Sequence, residues 1–170
     1  FHLEPPTHDG ALTFRRAYHY PFWQIAPVPQ RWRFHSALSP FEAQKIEPEP
    51  AHRFADNLRN RVIPGPEPRR GDRVLVPLQG HIRQCRSFQT MSPVEMLATT
   101  AAATPRPVIA TLHPNEVYDD KDMQALNDLA ARHANLTIGG DTTTLLRACA
   151  FVVAPNSAVA FDGDRLGKPA

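Results

Sequence analysis

Proline divides this chain more sharply than any other residue. There are 18 prolines in 170 residues, and most lie before residue 78. Pro5-Pro6, Pro27, Pro29, Pro40, Pro48, Pro50, Pro64, Pro66 and Pro68 all fall within residues 1–72. A proline fixes its own φ, lacks an amide hydrogen and biases the residue before it away from helix. This first segment is therefore expected to be mostly extended or irregular and to wrap on something else. Residues 51–62 are the exception, because Phe54 and Leu58 stand four apart, on one face of a short helix. Pro64-Gly65-Pro66 and Pro68 make residues 63–71 read as a linker.

From Asp72 the pattern changes. Arg73–Leu78 is a compact run rich in valine, as expected of a buried strand. Ser92-Pro93-Val94-Glu95 is a helix start: Ser92 can cap, proline suits the first helical position, and Glu95 completes a capping box. That helix is expected to reach about Ala103 and stop before Pro105. Pro107–Leu112 follows as a second strand. Residues 120–134 form the best amphipathic helix, with Met123, Leu126 and Ala130 on one face and Leu129 beside them. Leu136–Ile138 reads as a short strand closed by Gly139-Gly140. Asp141 can cap a helix through Arg147 or Cys149, and Phe151–Ala154 reads as another buried strand. Ser157–Leu166 reads as a helix that Gly167 terminates. Strands alternating with helices imply βαβ units. The fold expected is α/β, a Rossmann-like parallel sheet with flanking helices, preceded by a proline-rich, mostly irregular N-terminal segment. Residues 1–71 are then a proline-rich N-terminal arm, and residues 72–170 a Rossmann-like domain. The closing Gly167-Lys168-Pro169-Ala170 reads as the approach to a further strand, so a longer protein is expected.

Composition narrows the function. The net charge of +2 is too small to argue for a nucleic-acid surface. Arg69-Arg70 and Arg31-Trp32-Arg33 read as solvated faces or ion-pair partners. No run of eighteen apolar residues predicts a membrane span. No secretory signal is legible, so the cytoplasm is the expected compartment, with peripheral membrane association left open. Cys85 and Cys149 make no disulfide framework and read as small buried hydrophobes. No His, Cys or Asp cluster has metal-ligand spacing. Asp119-Asp120 and Asp122 read as first-turn helix residues. Neither a G-x-G-x-x-G fingerprint nor a G-x-S-x-G elbow is present.

The chemistry-bearing residues gather where strands are expected to end, which is where open parallel sheets bind ligands. His113 follows a strand and precedes Pro114. Its imidazole can donate to a phosphate oxygen or act as a general acid or base, or it can simply close the strand. Glu116 can meet a sugar hydroxyl or cap the next helix. Asn156 and Ser157 stand at a helix start, where a hydroxyl and amide donors favour phosphate, although serine is also an ordinary cap. Gly139–Thr144, with Thr142, can approach phosphate or ribose or form a plain capped turn. Gln79, Gly80 and His81 follow the first strand. Gly80 can admit a ligand, and Arg83 and Arg86 can grip an anion or lie on the surface. Tyr18-His19-Tyr20-Pro21-Phe22-Trp23 can stack on a sugar but reads more naturally as an anchor for the arm.

In order along the chain stand Val76-Pro77-Leu78-Gln79, His113-Pro114, a helix with Leu145-Leu146, Asn156-Ser157 and Gly167-Lys168-Pro169. In that order and spacing the last hundred residues resemble the nucleotide-sugar-binding half of GT-B glycosyltransferases. More narrowly, they resemble the capsular polysaccharide synthesis and export type, which transfers an acidic sugar from a CMP-activated donor. Gly80-His81 stand where that family often has an Asp, Thr111-Leu112 where a Lys commonly precedes His-Pro, and Phe161-Asp162-Gly163-Asp164 in the place of a usual Glu. The resemblance implies transfer from a nucleotide sugar to a glycan acceptor, with residues 72–170 the donor-binding domain and residues 1–71 an arm or partial acceptor region; no metal or other cofactor is expected. His113 would be catalytic, and Asn156 and Ser157 would hold the donor nucleotide and its phosphate. A sugar-nucleotide epimerase of the same architecture remains open, as does a non-catalytic domain that binds a nucleotide, a sugar or a protein.

Overall fold

The structure is a computed structural model that describes residues 10–16, 23–87, 89–155 and 157–170. The chain divides into two compact units, Phe1–Leu58 and Arg59–Ala170. In the first, β1 (Thr13–Arg16) pairs antiparallel with β2 (Trp23–Ala26), followed by a single helical turn, α1 (His35–Leu38). Pro5-Pro6 and the aromatic residues 18–22 lie outside the described residues. Helix α2 (Pro48–Val62) starts three residues before the expected position. Pro48 and Pro50 lie in its first turn, where amide hydrogens have no partner within the helix and proline therefore does no harm. Phe54 is half exposed while Leu58 is buried, so the two do not share a buried face.

The second unit is an α/β layer structure. Strands β3 (Arg73–Leu78), β4 (Val108–Leu112), β5 (Leu136–Ile138) and β6 (Cys149–Val152) form a parallel sheet in the order β5-β4-β3-β6. Helices α3 (Pro93–Ala103), α4 (Asp120–Arg132) and α5 (Thr142–Ala148) make the connections, and α6 (Ala158–Arg165) follows β6. Alternation along β3 splits the core. Val74, Val76 and Leu78 pack with Leu97, Val108, Leu126 and Leu129, while Leu75 packs with Ile63, Leu146, Val152 and Leu166. A strand covered on both faces must be apolar at every position, which is why β3 reads as a continuous run. Each such valine or leucine side chain contributes about 1.5–3 kcal/mol by leaving water.

Helix starts follow local chemistry. Ser92 and Glu95 form a reciprocal capping box at α3, and Asp119 with Asp122 forms another at α4. The strand expected at residues 151–154 is displaced to Cys149–Val152, because Cys149 pairs beside Arg73 and its side chain is buried against Leu75 and Leu146. Burial in this apolar setting raises the Cys149 thiol pKa. Cys85 departs from expectation. It is exposed in the irregular segment after β3, with its thiol donating to the Gln89 carbonyl at 3.3 Å. The segment read as a linker is fastened down: Arg69 N–H donates to Arg147 O at 2.9 Å, Arg147 donates to the carbonyls of Ile63 and Pro66, and Lys168 Nζ donates to Arg69 O at 2.6 Å.

Candidate functional site

Register shapes the carboxyl edge of the sheet. Leu78 and Leu112 share a rung, so β3 and β4 leave the sheet side by side. Strand β5 stops lower, with Ile138 beside Ala110, and β6 stops with Val152 beside Leu75. The outer strands thus end short of the central pair. A hollow of about 380 Å³ is lined from all four exits, by Leu78, His113, Thr142 and Ser157 among others. The order of connection also reverses here, since β3, β4 and β5 proceed to one side and β6 returns to the far side of β3. Such a reversal leaves a crevice between diverging loops.

His113 is held by its own turn. Glu116 N–H donates to His113 O at 3.1 Å, with Pro114 at the second position, where its fixed φ suits the bend. Asn115 N–H donates to His113 Nδ1 at 3.2 Å. An accepting ring nitrogen carries no hydrogen, so this bond assigns the hydrogen of the neutral imidazole to Nε2. The Tyr118 hydroxyl accepts from His113 N–H at 3.0 Å and donates to Leu78 O at 3.3 Å. One phenol therefore joins the ends of β3 and β4 beside the hollow. Its burial raises the phenol pKa, with the Glu116 and Asp122 carboxylates adding to the shift and the His113 amide opposing it.

Ser157 is buried at the start of α6, and its Oγ accepts from Val159 N–H at 3.3 Å. Capping and ligand contact are compatible here, because an accepting hydroxyl keeps its hydrogen for another partner. Asn156 lies outside the described residues. On the β5 side, Gly139 and Gly140 both have positive φ, 123° and 98°. These conformations suit glycine and turn the chain sharply into α5. Asp141 Oδ1 then accepts from Thr144 Oγ1 at 2.6 Å and Thr144 N–H at 2.8 Å, and these bonds lower its pKa. Thr142 Oγ1 bonds Thr111 Oγ1 at 2.8 Å, and Thr111 is almost wholly buried.

Gln79, Gly80 and Arg86 line a second, far smaller hollow of about 10 Å³, which shares Pro77, Leu78 and Ser157 with the large one. Arg86 Nη2 donates to Gly80 O at 2.7 Å. Glu116 does not cap α4, which is Asp119's role. Its carboxylate lies over Gly80, in the space a β-carbon would need. Gly80 therefore admits Glu116 rather than an open approach for a ligand. Arg83 is removed from the anion pocket as well. Its Nε donates to Asp122 at 2.6 Å and its Nη2 to Asp119 at 2.9 Å, and these carboxylates raise its pKa. The arginine pins the loop after β3 to the start of α4. Within that loop His81 takes a left-handed conformation, φ 60°, which is uncommon outside glycine.

Of the residues singled out from sequence, the structure brings His113, Thr142 and Ser157 to one hollow. It sets Gln79, Gly80 and Arg86 beside it and leaves Glu116 against Gly80. Tyr118 and the hydroxyl of Thr111 were not legible as site residues. Tyr118 has no periodic or motif signal, and only the paired strands bring it to Leu78. Among the described residues no group of three or more His, Cys, Asp or Glu could hold a metal ion, and no helix is long and apolar enough to cross a membrane. Compared with protein-family models, curated proteins and solved structures, the chain matches none.

Proposed function

We propose that the second unit is the donor-binding half of a glycosyltransferase, and that the hollow receives the nucleotide part of an activated sugar. The observation that carries this is the convergence of His113, Thr142 and Ser157 on one hollow at the carboxyl edge, beside the reversal in strand order. The order β5-β4-β3-β6 corresponds to 3-2-1-4 of a Rossmann-like sheet, whose ligands lie at this edge. The GT-B resemblance of the last hundred residues points the same way. On this proposal the acceptor is a glycan and the compartment the cytoplasm.

The chemistry follows from the imidazole. During transfer the bond between the anomeric carbon and the phosphate oxygen breaks, and negative charge grows on the departing phosphate. The Nε2–H of His113 donates to that oxygen, and Ser157 donates alongside it. Donors fixed in advance act where charge develops, and losing one costs about 2.7–4 kcal/mol of transition-state stabilisation in well-studied enzymes. Gln79 and Arg86 flank the phosphate end, and Thr142 faces the nucleoside.

A nucleotide-binding domain without transfer is the second function in view. One observation favours it: among the described residues Asp141 is the one carboxylate lining the large hollow, and it caps α5. Thermal-shift measurements with CMP-, UDP- and GDP-sugars test both. A ligand at a hundred times its Kd adds about 2.7 kcal/mol of stability, so the matching donor raises Tm clearly. Transfer that vanishes in His113→Ala while this shift persists supports the transferase. A shift without transfer in the wild type supports the binding domain. No shift with any nucleotide sugar refutes both.

A further inference from the structure

The large hollow is chemically lopsided. Among the described residues that line it, His113 and Asp141 are the ionisable ones, and no lysine or arginine takes part. Asp141 and Thr142 enter from the β5 side, Ser157 from the β6 side, and Arg86 stands in the adjoining hollow that also touches Ser157. With strands about 4.8 Å apart, the β5 and β6 exits are separated by roughly 14 Å, a span over which a nucleotide can lie across the strand ends. A carboxylate at one end and a guanidinium at the other give that span a direction. A phosphate is repelled from the first and drawn to the second.

The Asp141 end is built to receive hydroxyls. Both Thr144 bonds converge on Oδ1, the Thr143 amide also favours the charged carboxylate, and no side chain among the described residues donates to Oδ2. Thr111 and Thr142 bond through their hydroxyls. That bond uses one of the pair's two hydrogens and leaves the other for a partner. A carboxylate that accepts, beside a hydroxyl pair that can both donate and accept, complements two adjacent hydroxyls on a ring. Bonds from hydroxyls to a carboxylate belong to the stronger, charge-assisted class.

We propose that Asp141, with the Thr111–Thr142 pair, holds a vicinal diol of the ligand, and that the ligand's phosphate points away from it toward Ser157 and Arg86. This rests on the nucleotide-sugar function proposed above and adds to it the groups that recognise the hydroxyls of a ribonucleotide, or of a sugar with adjacent free hydroxyls. The residue acts through its carboxylate, so Asp141→Asn is the informative change. Asparagine is as good a helix cap as aspartate and keeps an oxygen for Thr144, but it loses the charge.

Calorimetric titration of the full chain with CMP, UMP and GMP, with their 2′-deoxy counterparts, with UDP against UDP-glucose, and with pyrophosphate tests this. The wild type is expected to prefer a ribonucleotide over its deoxy form by about tenfold, a difference of about 1.4 kcal/mol. Asp141→Asn is expected to erase that preference while binding pyrophosphate at least as tightly as the wild type. A preference confined to UDP-glucose over UDP, erased in the same variant, assigns the diol to the transferred sugar instead of the ribose. If Asp141→Asn binds every probe within twofold of the wild type, the diol site is wrong even though the nucleotide site stands. If the wild type binds none of the nucleotides, the parent function falls and the diol site with it.

Discussion

Replacing Tyr118 by phenylalanine removes a single oxygen and two hydrogen bonds, to His113 N–H at 3.0 Å and Leu78 O at 3.3 Å. The ring stays, so packing in the core beside it changes little. A hydrogen bond contributes about 0.5–1.5 kcal/mol net, and a buried group left without a partner costs about 1–3 kcal/mol. The longer bond lies at the weak end of that range, and His113 is only half buried, so the loss should be about 2 kcal/mol. For a unit of this size, that lowers Tm by roughly 8 °C. Scanning calorimetry is the appropriate assay. Both tryptophans, Trp23 and Trp32, belong to the first unit, so calorimetry is used in place of their fluorescence. The pH dependence supplies a second reading. The folded phenol titrates above its ordinary value of about 10. Between the two values the unfolded chain has lost the proton that the folded chain keeps. Stability from this group is complete below the unfolded pKa and falls as pH rises toward the folded one. Tyr118→Phe should remove that alkaline loss. A Tm within about 1 °C of wild type, together with an unchanged alkaline decline, would show that the phenol does not tie the two strand ends together.

Two further perturbations follow from packing and capping. A β-carbon on Gly71 meets the Ala148 carbonyl, a backbone atom that cannot swing away, whereas one on Gly80 meets only the end of the Glu116 side chain. Gly71→Ala should therefore cost about 1–3 kcal/mol by overpacking and Gly80→Ala much less, as read by denaturant midpoints. Equal midpoints for the two variants would contradict the geometry. Ser92→Ala removes the α3 cap and should cost about 1 kcal/mol. Glu95, bonded to Ser92, has a lowered pKa, so its contribution is present above the ordinary carboxylate value and is lost as pH falls through the folded one. The acid limb of a stability–pH curve should flatten in Glu95→Gln, and an unaltered limb would count against the capping box.

Much of the second unit was legible from local rules. The Ser92-Pro93-Val94-Glu95 start and the end of its helix at Ala103 are as expected, because capping and proline geometry act within a few residues. The Asp141 cap and the Gly139-Gly140 turn belong to the same class. Boundaries drifted where distant contacts decide. β6 begins at Cys149 because that residue finds a place beside β3, and α2 extends back through two prolines that a helix tolerates in its first turn. Arg83, read from sequence with Arg86 as able to grip an anion, is instead bound to two carboxylates 36 and 39 residues away, a pairing with no sequence signature.

Alternation of strand-like and helix-like runs, the caps and the turn glycines were settled by the chain itself, since each depends on neighbours a few bonds away. That the sheet runs in the order β5-β4-β3-β6, and that the outer strands stop short of the central two, was decided only when the strands met. The hollow exists because of those unequal strand ends. So do the roles of Tyr118, Thr111 and Glu116, whose partners lie on other strands and loops and whose chemistry is ordinary until the fold brings them there.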